Sequence, residues 1–272
     1  MIPFNPEEEV IMSIFEAIIL GIIQGLTEFL PVSSSGHLVL FQNIMGLTEG
    51  ALSFNIVVHF GTMFSVIFYY RRKLLDMLRH PFSRFNFLIV LTAVPAGVVG
   101  VFFSGFFRNI YTRPSALGFS FLLTTVSLVI AESISQGHRV ERDLNVRDSL
   151  TVGLAQCLAI FPGVSRSGIT ISAGLTRGID RELAAAFSFI NSLILIAGAT
   201  VLEIPELYSQ GVDASIGPLI AGFVVSFLTG YVAIAAMVNI LKHKSLKPFI
   251  VYVGLLSLLV LSDVYLFGIV FH

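Results

Sequence analysis

Long runs of apolar residues, separated by short polar segments, dominate this chain. Six of the runs are close to the length that an α-helix needs to cross a lipid bilayer, which is roughly 20 residues. The pattern therefore predicts an all-α membrane protein with six transmembrane helices. The predicted spans are Leu52–Tyr70, Phe87–Phe106, Pro114–Ala131, Ala184–Leu202, Leu219–Leu241 and Phe249–Val270.

Two further apolar stretches are broken by polar turns and do not fit a simple span. Ile14–Leu30 runs into Pro31 and a cluster of serines, and Leu150–Phe161 runs into Pro162 and a second such cluster. A short apolar piece follows each turn. Helix, polar turn and short helix is the pattern of a re-entrant hairpin, since irregular backbone at membrane depth is tolerated only where protein or a water-filled cavity covers it. The short pieces after the turns are His37–Met45 and Ile169–Leu175.

The two predicted hairpins carry the same residue pattern. Each matched position of the second copy lies 132 residues after its counterpart, without a gap, in a chain of 272 residues. This indicates an internal duplication. We expect one membrane domain over residues 1–272, built from repeat 1 (about 11–132) and repeat 2 (about 149–270). The matched positions are Gly21, Gln24, Leu26, Phe29, Val32, Ser33, Ser35 and Gly36 in the first copy, and Gly153, Gln156, Leu158, Phe161, Val164, Ser165, Ser167 and Gly168 in the second.

Composition strengthens the membrane interpretation. The chain is 55% hydrophobic and 12% charged, whereas about 25% of the residues of an ordinary soluble domain are charged. A formal net charge of −1 gives no reason to expect a nucleic-acid partner, and the single cysteine excludes an intrachain disulfide. Residues 1–10 are acidic rather than basic, so we do not expect a cleaved signal peptide.

Charges between the spans predict the topology. Three basic segments should be cytoplasmic and one acidic segment external, because cytoplasmic loops are enriched in Lys and Arg. Both termini then lie outside, the first hairpin enters from the outside, and the second enters from the cytoplasm. Inverted repeats of this kind bring their broken helices together near the bilayer midplane. The basic residues are Arg71, Arg72, Lys73, Arg79 and Arg84, then Arg139, Arg142 and Arg147, then Lys242, Lys244 and Lys247, and the acidic ones are Glu203, Glu206 and Asp213.

The first hairpin carries an acid, serine hydroxyls and an imidazole. Gln24 and Glu28 are four residues apart and share a helix face. An acidic residue in a membrane-embedded helix is costly and is functional by default. The turn Ser33–Ser35 supplies hydroxyls and free N–H groups where a new helix can start, which is a favourable place to bind an anion. His37 follows this turn directly.

The second hairpin adds Arg166, which lies between Ser165 and Ser167 and is followed by Thr170. The planar guanidinium group suits phosphate through paired hydrogen bonds. Carboxylate, nucleophile, imidazole and anion clamp together predict phosphoryl transfer.

Structural roles compete with this interpretation at several positions. Serines in such turns are usually turn formers and caps, Gln24 could be an interhelical hydrogen-bonder, and His37 could be a cap. Two polar residues inside predicted spans, His59 and Asn191, are candidates either for lining the cavity or for packing.

The chain resembles the undecaprenyl-diphosphatase (bacitracin-resistance) family. Gln24–His37, which reads Gln-Gly-Leu-Thr-Glu-Phe-Leu-Pro-Val-Ser-Ser-Ser-Gly-His, is similar to the first family signature. Pro162–Thr170, which reads Pro-Gly-Val-Ser-Arg-Ser-Gly-Ile-Thr, is similar to the second, and Asn55–Gly61 resembles a further segment. The order and separation of the signatures fit, so the resemblance covers essentially the whole chain.

This resemblance implies a multi-pass plasma-membrane phosphatase. Such an enzyme removes the terminal phosphate of undecaprenyl (polyprenyl) diphosphate, and the monophosphate carrier lipid then serves cell-wall peptidoglycan synthesis. The site is implied to open to the external (periplasmic) side and to need a divalent cation, Mg²⁺ or Ca²⁺. The family signatures carry catalytic roles onto Glu28, Ser34, His37 and Arg166. The first acidic-type position, often Glu in the family, is Gln24 here, so this pair alone offers no two-carboxylate metal site. Metal binding through Glu28, substrate phosphates and waters is expected instead.

Several alternatives remain open at this point. Ser34 is the expected nucleophile, with His37 slightly favoured over Glu28 as its base because the imidazole pKa is nearer neutrality. His37 as nucleophile and a metal-activated water are the competing versions. A lipid or anion transporter (flippase) of the same architecture is the alternative function. The expected partners are the polyprenyl diphosphate and membrane lipids but no nucleic acid, and a homodimer is one of the oligomeric states left open. The remaining polar residues are expected to bind substrate, and they are Gln24, Ser33, Ser35, Ser165, Ser167 and Thr170.

Overall fold

A computed structural model describes residues 12–47, 51–103, 114–134, 137–210 and 215–271. Within these ranges the chain is helical and has no strand, only an isolated bridge between Arg139 and Ile179. The helices are α1 (Ile14–Phe29), α2 (Ser34–Met45), α3 (Ala51–Tyr69), α4 (Arg71–Arg79), α5 (Arg84–Phe102), α6 (Pro114–Ser133), α7 (Val146–Gln156), α8 (Arg166–Thr176), α9 (Arg181–Gln210), α10 (Ile216–His243) and α11 (Lys247–Ser262).

Six of these helices are long and apolar enough to cross a membrane: α3, α5, α6, α9, α10 and α11. They confirm the six predicted spans and the all-α membrane class. Helix α9 extends to Gln210, so Glu203 and Glu206 lie on a helix rather than in the predicted loop. Asp213 and the end of the second predicted span, residues 104–106, lie outside the described residues, as do residues 1–11.

The first basic segment forms a helix that the sequence interpretation treated as a loop. Helix α4 has a strongly amphipathic sequence. Lys73 pairs with Glu141 at 2.6 Å and lies 4.3 Å from the ring centre of Phe85. The contact with Phe85 holds α4 against the start of α5, and the ion pair joins α4 to the segment that precedes α7. The interpretation as a loop was wrong because a nine-residue amphipathic helix is too short and too charged to register as an apolar run.

The predicted hairpins form two helix pairs, α1–α2 and α7–α8, with matching ends. Helix α1 starts with a capping box from Ser13 and Glu16, and α7 starts with one from Asn145 and Asp148. These positions are again 132 residues apart. In such a box the two side chains satisfy the free N–H groups of the first turn. Their re-entrant path through a bilayer stays a prediction.

The second helix of each pair also starts in the same way. The Ser33 hydroxyl accepts a hydrogen bond from the N–H of Gly36 at 3.2 Å, and the Ser165 hydroxyl accepts one from Gly168 at 3.1 Å. Serine is a favoured N-cap because its oxygen replaces a missing helical acceptor. The duplicated serines therefore define where both short helices begin.

Helix packing relates the two halves to each other. Helix α1 packs on α10, the second span of the other half, and α7 packs on α5, its counterpart. The third spans, α6 and α11, pack together, and so do the first spans, α3 and α9. Each half is therefore covered largely by the other, as two equivalent repeats would require.

Glycines permit the closest of these contacts. A Cβ at Gly25 of α1 would lie 1.9 Å from Thr229 Oγ1 and 2.7 Å from the Ser226 carbonyl oxygen on α10, and a Cβ at Gly153 of α7 would lie 2.6 Å from the Thr92 carbonyl oxygen on α5. Small residues are the usual means of bringing membrane helices together. The two polar turns follow α1 and α7 in the chain.

Candidate active site

Glu28 lies at the centre of a polar cluster drawn from both turns. One carboxylate oxygen accepts a hydrogen bond from Arg166 Nη2. The other accepts hydrogen bonds from Ser34 Oγ at 2.5 Å and from Gln24 Nε2 at 3.1 Å. Three predicted catalytic residues, separated by up to 138 positions, thus meet at one carboxylate.

The ion pair between Glu28 and Arg166 is buried. Their side chains are 6% and 15% exposed, respectively. Removing two charges from water is costly, and a buried pair is often no more stable than an apolar replacement. Fold stability alone therefore does not explain why these charges are here. The Nη1 atom of Arg166 is also buried and has no hydrogen-bond partner among the described residues, which leaves a donor for an anionic ligand.

Hydrogen bonds between the turns hold them together. Ser35 Oγ accepts a hydrogen bond from the N–H of Gly163 at 3.4 Å, and Ser167 Oγ donates one to the carbonyl oxygen of Leu30 at 3.3 Å. Ser35 and Ser167 occupy the same position in the two copies. Each turn is therefore fastened to the other by the last serine of its Ser-X-Ser sequence, so these two serines brace the site.

Both short helices begin at this meeting point. Among the described residues, no acceptor is found for the backbone N–H groups of Ser34, Ser35 and Arg166. Free N–H groups at a helix start, together with the helix dipole, favour a bound anion. Ser33 has a φ of 74°, the only positive value at a non-glycine among the described residues, and such backbone is typical of functional sites.

His37 lies beside the cluster, and both of its ring nitrogens are engaged elsewhere. Nδ1 is 2.7 Å from the carbonyl oxygen of Ser33, which can only accept, so Nδ1 carries the proton. Nε2 is 2.7 Å from the hydroxyl of Tyr252 on α11, which then donates to it. The imidazole also stacks on the Tyr252 ring, with centroids 5.7 Å apart. Sequence reasoning missed Tyr252, because a tyrosine in an apolar span gives no signal until its partner is known.

His59 and Asn191 are structural counterparts with different contacts. They are 132 residues apart, like the matched motif positions. His59 Nε2 lies 3.9 Å from Glu28 Oε2, so this ring borders the cluster. Asn191 is buried and donates a 2.6 Å hydrogen bond to Gln156 Oε1. The sequence left both cavity lining and packing open for these residues. The contacts favour cavity lining for His59 and packing for Asn191.

Two of the predicted substrate-binding residues make contacts of the kind that hold helices. Thr170 Oγ1 donates to the Arg166 carbonyl oxygen at 2.8 Å and lies 2.6 Å from Ser188 Oγ on α9. Ser165 caps α8, and its N–H donates to Thr124 Oγ1 at 2.9 Å. Both are 1% exposed. These hydrogen bonds fix the position of the helix that carries Arg166.

A divalent cation has two candidate ligands here. Gln24 Oε1 is a buried acceptor without a donor, and rotating the amide would set this oxygen against the Glu28 carboxylate, so its position is fixed. The Glu28 carboxylate contacts the nitrogen of the same amide, Nε2, at 3.1 Å. No group of three His, Cys, Asp or Glu side chains that could hold a metal is found among the described residues. This donor set fits a cation that also takes ligands from a phosphate, as Mg²⁺ usually does.

The chain matches the family model described as bacitracin resistance protein BacA over residues 17–259. It belongs to the BacA family. The undecaprenyl-diphosphatase of Carboxydothermus hydrogenoformans is 42% identical over 253 residues, which cover 92% of this chain and 97% of that protein. Undecaprenyl-diphosphatase 4 of Bacillus thuringiensis subsp. konkukian is 40% identical over the same shares of both chains. The undecaprenyl-diphosphatase of Alkaliphilus metalliredigens is 41% identical over 261 residues, 89% of this chain and 95% of that one.

The BacA match includes every residue of the polar cluster and also Tyr252. It confirms the family resemblance inferred from the two signatures. Together with the six apolar helices, it identifies this chain as a multi-pass membrane protein.

Proposed function

We propose that this protein hydrolyses the terminal phosphate of undecaprenyl diphosphate, or a similar polyprenyl diphosphate, and releases the lipid monophosphate. The observation that carries this proposal is the hydrogen bond from Ser34 to Glu28, with Arg166 on the second carboxylate oxygen. A nucleophile in contact with a base and beside an anion-binding group is the minimum set for covalent phosphoryl transfer. The names of the relatives support the same activity and give no support to a transporter without chemistry.

In the first step, Ser34 Oγ attacks the terminal phosphorus and its proton passes to Glu28 Oε2. The Oγ–P bond forms while the bond from phosphorus to the bridging oxygen breaks, and the lipid monophosphate leaves. Arg166 and the free N–H groups of both turns bind the equatorial oxygens, where charge must be stabilised. When Arg166 turns from Glu28 to the phosphate, Glu28 loses its counter-charge. It then becomes a stronger base, because a nearby positive charge favours the ionised form of a carboxylate.

In the second step, water attacks the phosphoserine, and inorganic phosphate leaves. The bond from phosphorus to Ser34 Oγ breaks as Glu28 returns its proton to that oxygen, and the water oxygen with both of its protons leaves as part of the inorganic phosphate. His37 is a weaker candidate for nucleophile or base than Ser34 or Glu28. Its Nδ1 proton is committed to Ser33 and its Nε2 lone pair to Tyr252, which suits a residue that shapes the turn.

A divalent cation is part of the proposal. Gln24 Oε1 and Glu28 would hold it together with oxygens of the diphosphate, and the cation would neutralise charge on the substrate. Because the protein supplies few ligands, we expect the cation to bind with the diphosphate rather than before it.

The external opening of the site is also a proposal and follows from the charge distribution between spans. In that arrangement the polyprenyl tail stays among the lipids and only the head group needs polar contacts. A homodimer is the simplest oligomer to test, and light scattering of the purified protein would detect it.

Phosphate release from farnesyl diphosphate by detergent-purified protein tests the activity. We expect turnover by the wild type and a loss of at least about 10³-fold in Ser34→Ala, in line with removal of an activated nucleophile. Ser133→Ala, at the exposed end of α6, is the matched serine control and should retain full activity.

A covalent trap distinguishes the mechanisms. Acid quenching during turnover of a substrate labelled on its terminal phosphorus should yield labelled wild-type protein and unlabelled Ser34→Ala. Label that persists in Ser34→Ala but disappears in His37→Ala would assign the nucleophile to His37. Rapid turnover by Ser34→Ala without label would favour attack by water. A wild type that moves lipid but releases no phosphate with any of several cations would overturn the enzyme assignment.

A further inference from the structure

A cationic cavity lies away from the polar cluster, between the start of α5 and the start of α7. Its volume is 560 Å³, and its lining includes the arginines Arg84, Arg147 and Arg177. All three belong to the side of the molecule that the positive-inside pattern predicts to be cytoplasmic. The cavity contains none of the residues assigned to phosphoryl transfer.

The positive charge of this cavity is poorly compensated within the described residues. Arg177 Nε donates to Asp148 at 2.9 Å, but Asp148 also pairs with Arg139 at 2.6 Å. Arg84 makes only a long 3.5 Å hydrogen bond, to the carbonyl oxygen of Arg142. The Arg147 side chain has no polar partner among the residues that the structure describes. Like charges that converge beside a single shared carboxylate repel one another, and an anion would relieve that repulsion.

An apolar surface continues from the cavity along both helices. Phe87 lines the cavity and is 58% exposed, and Val90 and Val94 follow one helical turn apart on α5 at 54% and 49%. On α7, Leu150 is 38% exposed and Leu154 is 63% exposed. The helices α5 and α7 pack together with Gly153 against Thr92 and Pro95, so Leu154 and Val94 are the chain neighbours of contacting residues and flank the line of contact.

We propose that this surface is a binding site for an anionic phospholipid. Its phosphate would be bound by Arg84, Arg147 and Arg177, and its acyl chains would lie along the apolar faces of α5 and α7. Basic pockets between helices on the cytoplasmic side suit lipid head groups of this kind. A free phosphate would use the arginines but not the apolar faces. The continuity of the two surfaces therefore favours a lipid.

Native mass spectrometry of the detergent-purified full chain tests this site with phosphatidylglycerol and with phosphatidylcholine of the same acyl chains. We expect the wild type to retain phosphatidylglycerol about tenfold better. Arg84→Gln combined with Arg147→Gln should remove most of that preference, because each interfacial arginine contributes about fivefold. Arg72→Gln combined with Arg79→Gln, in the same basic segment but outside the cavity, should leave it unchanged.

Further arms separate a lipid site from a small-anion site. Leu154→Gln should weaken retention of both lipids severalfold, and millimolar inorganic phosphate should not displace bound phosphatidylglycerol. Equal retention of the two lipids by the wild type, or an unchanged preference in the double variant, would overturn the proposal. Full displacement by phosphate would also overturn it, because it would show that the site binds a small free anion rather than a lipid. If the double variant fails to fold by circular dichroism, the two single variants provide the same comparison.

Discussion

The two helix pairs share a backbone design and differ in the side chains that they bring to the centre. Where the first pair has Ser33 as a cap, the second has Ser165, and both hydroxyls accept the N–H of a glycine three residues on. At the positions between and around these caps, however, the residues diverge. The first copy has Glu28, Ser34, His37 and His59 where the second has Ile160, Arg166, Ile169 and Asn191.

Because of this difference, the two copies contribute different chemical groups to the site. The first copy supplies the Glu28 carboxylate and the Ser34 hydroxyl, and the second supplies the Arg166 guanidinium that pairs with the carboxylate. Caps and glycines that set the backbone are retained twice, because both turns must reach the same place. The charged residues differ, because a pair of identical turns would present two like charges to one another, and like charges in a buried site repel.

The largest expected effect is on Glu28. Replacing Glu28→Gln keeps the size of the side chain but removes its ability to take a proton, and we expect kcat to fall about 10³-fold. Ile160→Val, at the matched position of the second copy, should change it less than twofold. The measurement is phosphate release from farnesyl diphosphate. A Glu28→Gln variant that keeps a tenth or more of the activity would remove Glu28 as the base.

The helix starts provide a second matched pair, Asp148 and Glu16. Burial raises the pKa of Asp148, but hydrogen bonds from Arg139 and Arg177 and from the N–H of Asn145 outweigh burial and hold it below its ordinary value. A lowered folded-state pKa means that this stabilisation is present above the unfolded pKa of about 3.9 and is lost as the pH falls through the folded value.

Asp148→Asn should therefore destabilise the fold by about 3 kcal/mol at neutral pH, through lost charge-assisted hydrogen bonds. Glu16→Gln, which loses only a cap charge, should cost about 0.5 kcal/mol. Thermal unfolding in detergent at pH 7 and at pH 3 measures both effects, and the difference between the wild type and Asp148→Asn should shrink at the lower pH. A difference that is the same at both pH values would show that Asp148 does not titrate in this way.

The glutamines of the two copies give a third comparison. Gln156 accepts from Asn191 at 2.6 Å and donates to the Thr92 carbonyl oxygen at 3.3 Å, whereas Gln24 contacts Glu28. Gln156→Leu should cost about 2 kcal/mol of stability, because a buried amide loses its partner, with little change in kcat. Gln24→Leu should lower activity about tenfold and raise the cation concentration required. Unfolding temperature and cation titration distinguish Gln156→Leu from Gln24→Leu. Identical behaviour of the two variants would contradict a structural role for one glutamine and a functional role for the other.

The smallest effect concerns Tyr252. Tyr252→Phe removes a hydrogen bond of about 1 kcal/mol to His37, which supports the turn, so we expect kcat/KM to fall about fivefold with an unchanged pH–rate profile. Tyr265→Phe, at an exposed tyrosine just beyond α11, is the control and should leave both unchanged. An altered pH–rate profile in Tyr252→Phe would contradict this role and would show that His37 takes part in proton transfer.

Local features were largely predictable from the sequence. The length of an apolar run predicts a span, and a serine followed three residues later by a glycine marks the caps of α2 and α8. Both features depend only on neighbouring residues. The identity of the polar candidates was equally available, because Glu28 and Arg166 are rare charges in an apolar context. Helix α4 was missed, since nine charged and apolar residues give no long run.

Which polar side chains form hydrogen bonds with each other was not predictable from the sequence. His37 was slightly favoured as the base for Ser34, but only the fold shows that Ser34 contacts Glu28 while His37 contacts Tyr252, 215 residues away. The mutual distance of such groups depends on how closely helices approach, and a single Cβ at Gly25 would alter it. The catalytic roles themselves stay predictions for the experiments above.

The sequence by itself determined the membrane class, the duplicated turns and the set of residues capable of chemistry, because hydropathy and capping act over a few neighbouring positions. Only the tertiary structure decided which of these residues meet. A carboxylate from one copy and a guanidinium from the other are brought together by helix packing across the whole chain, and no local pattern encodes that distance.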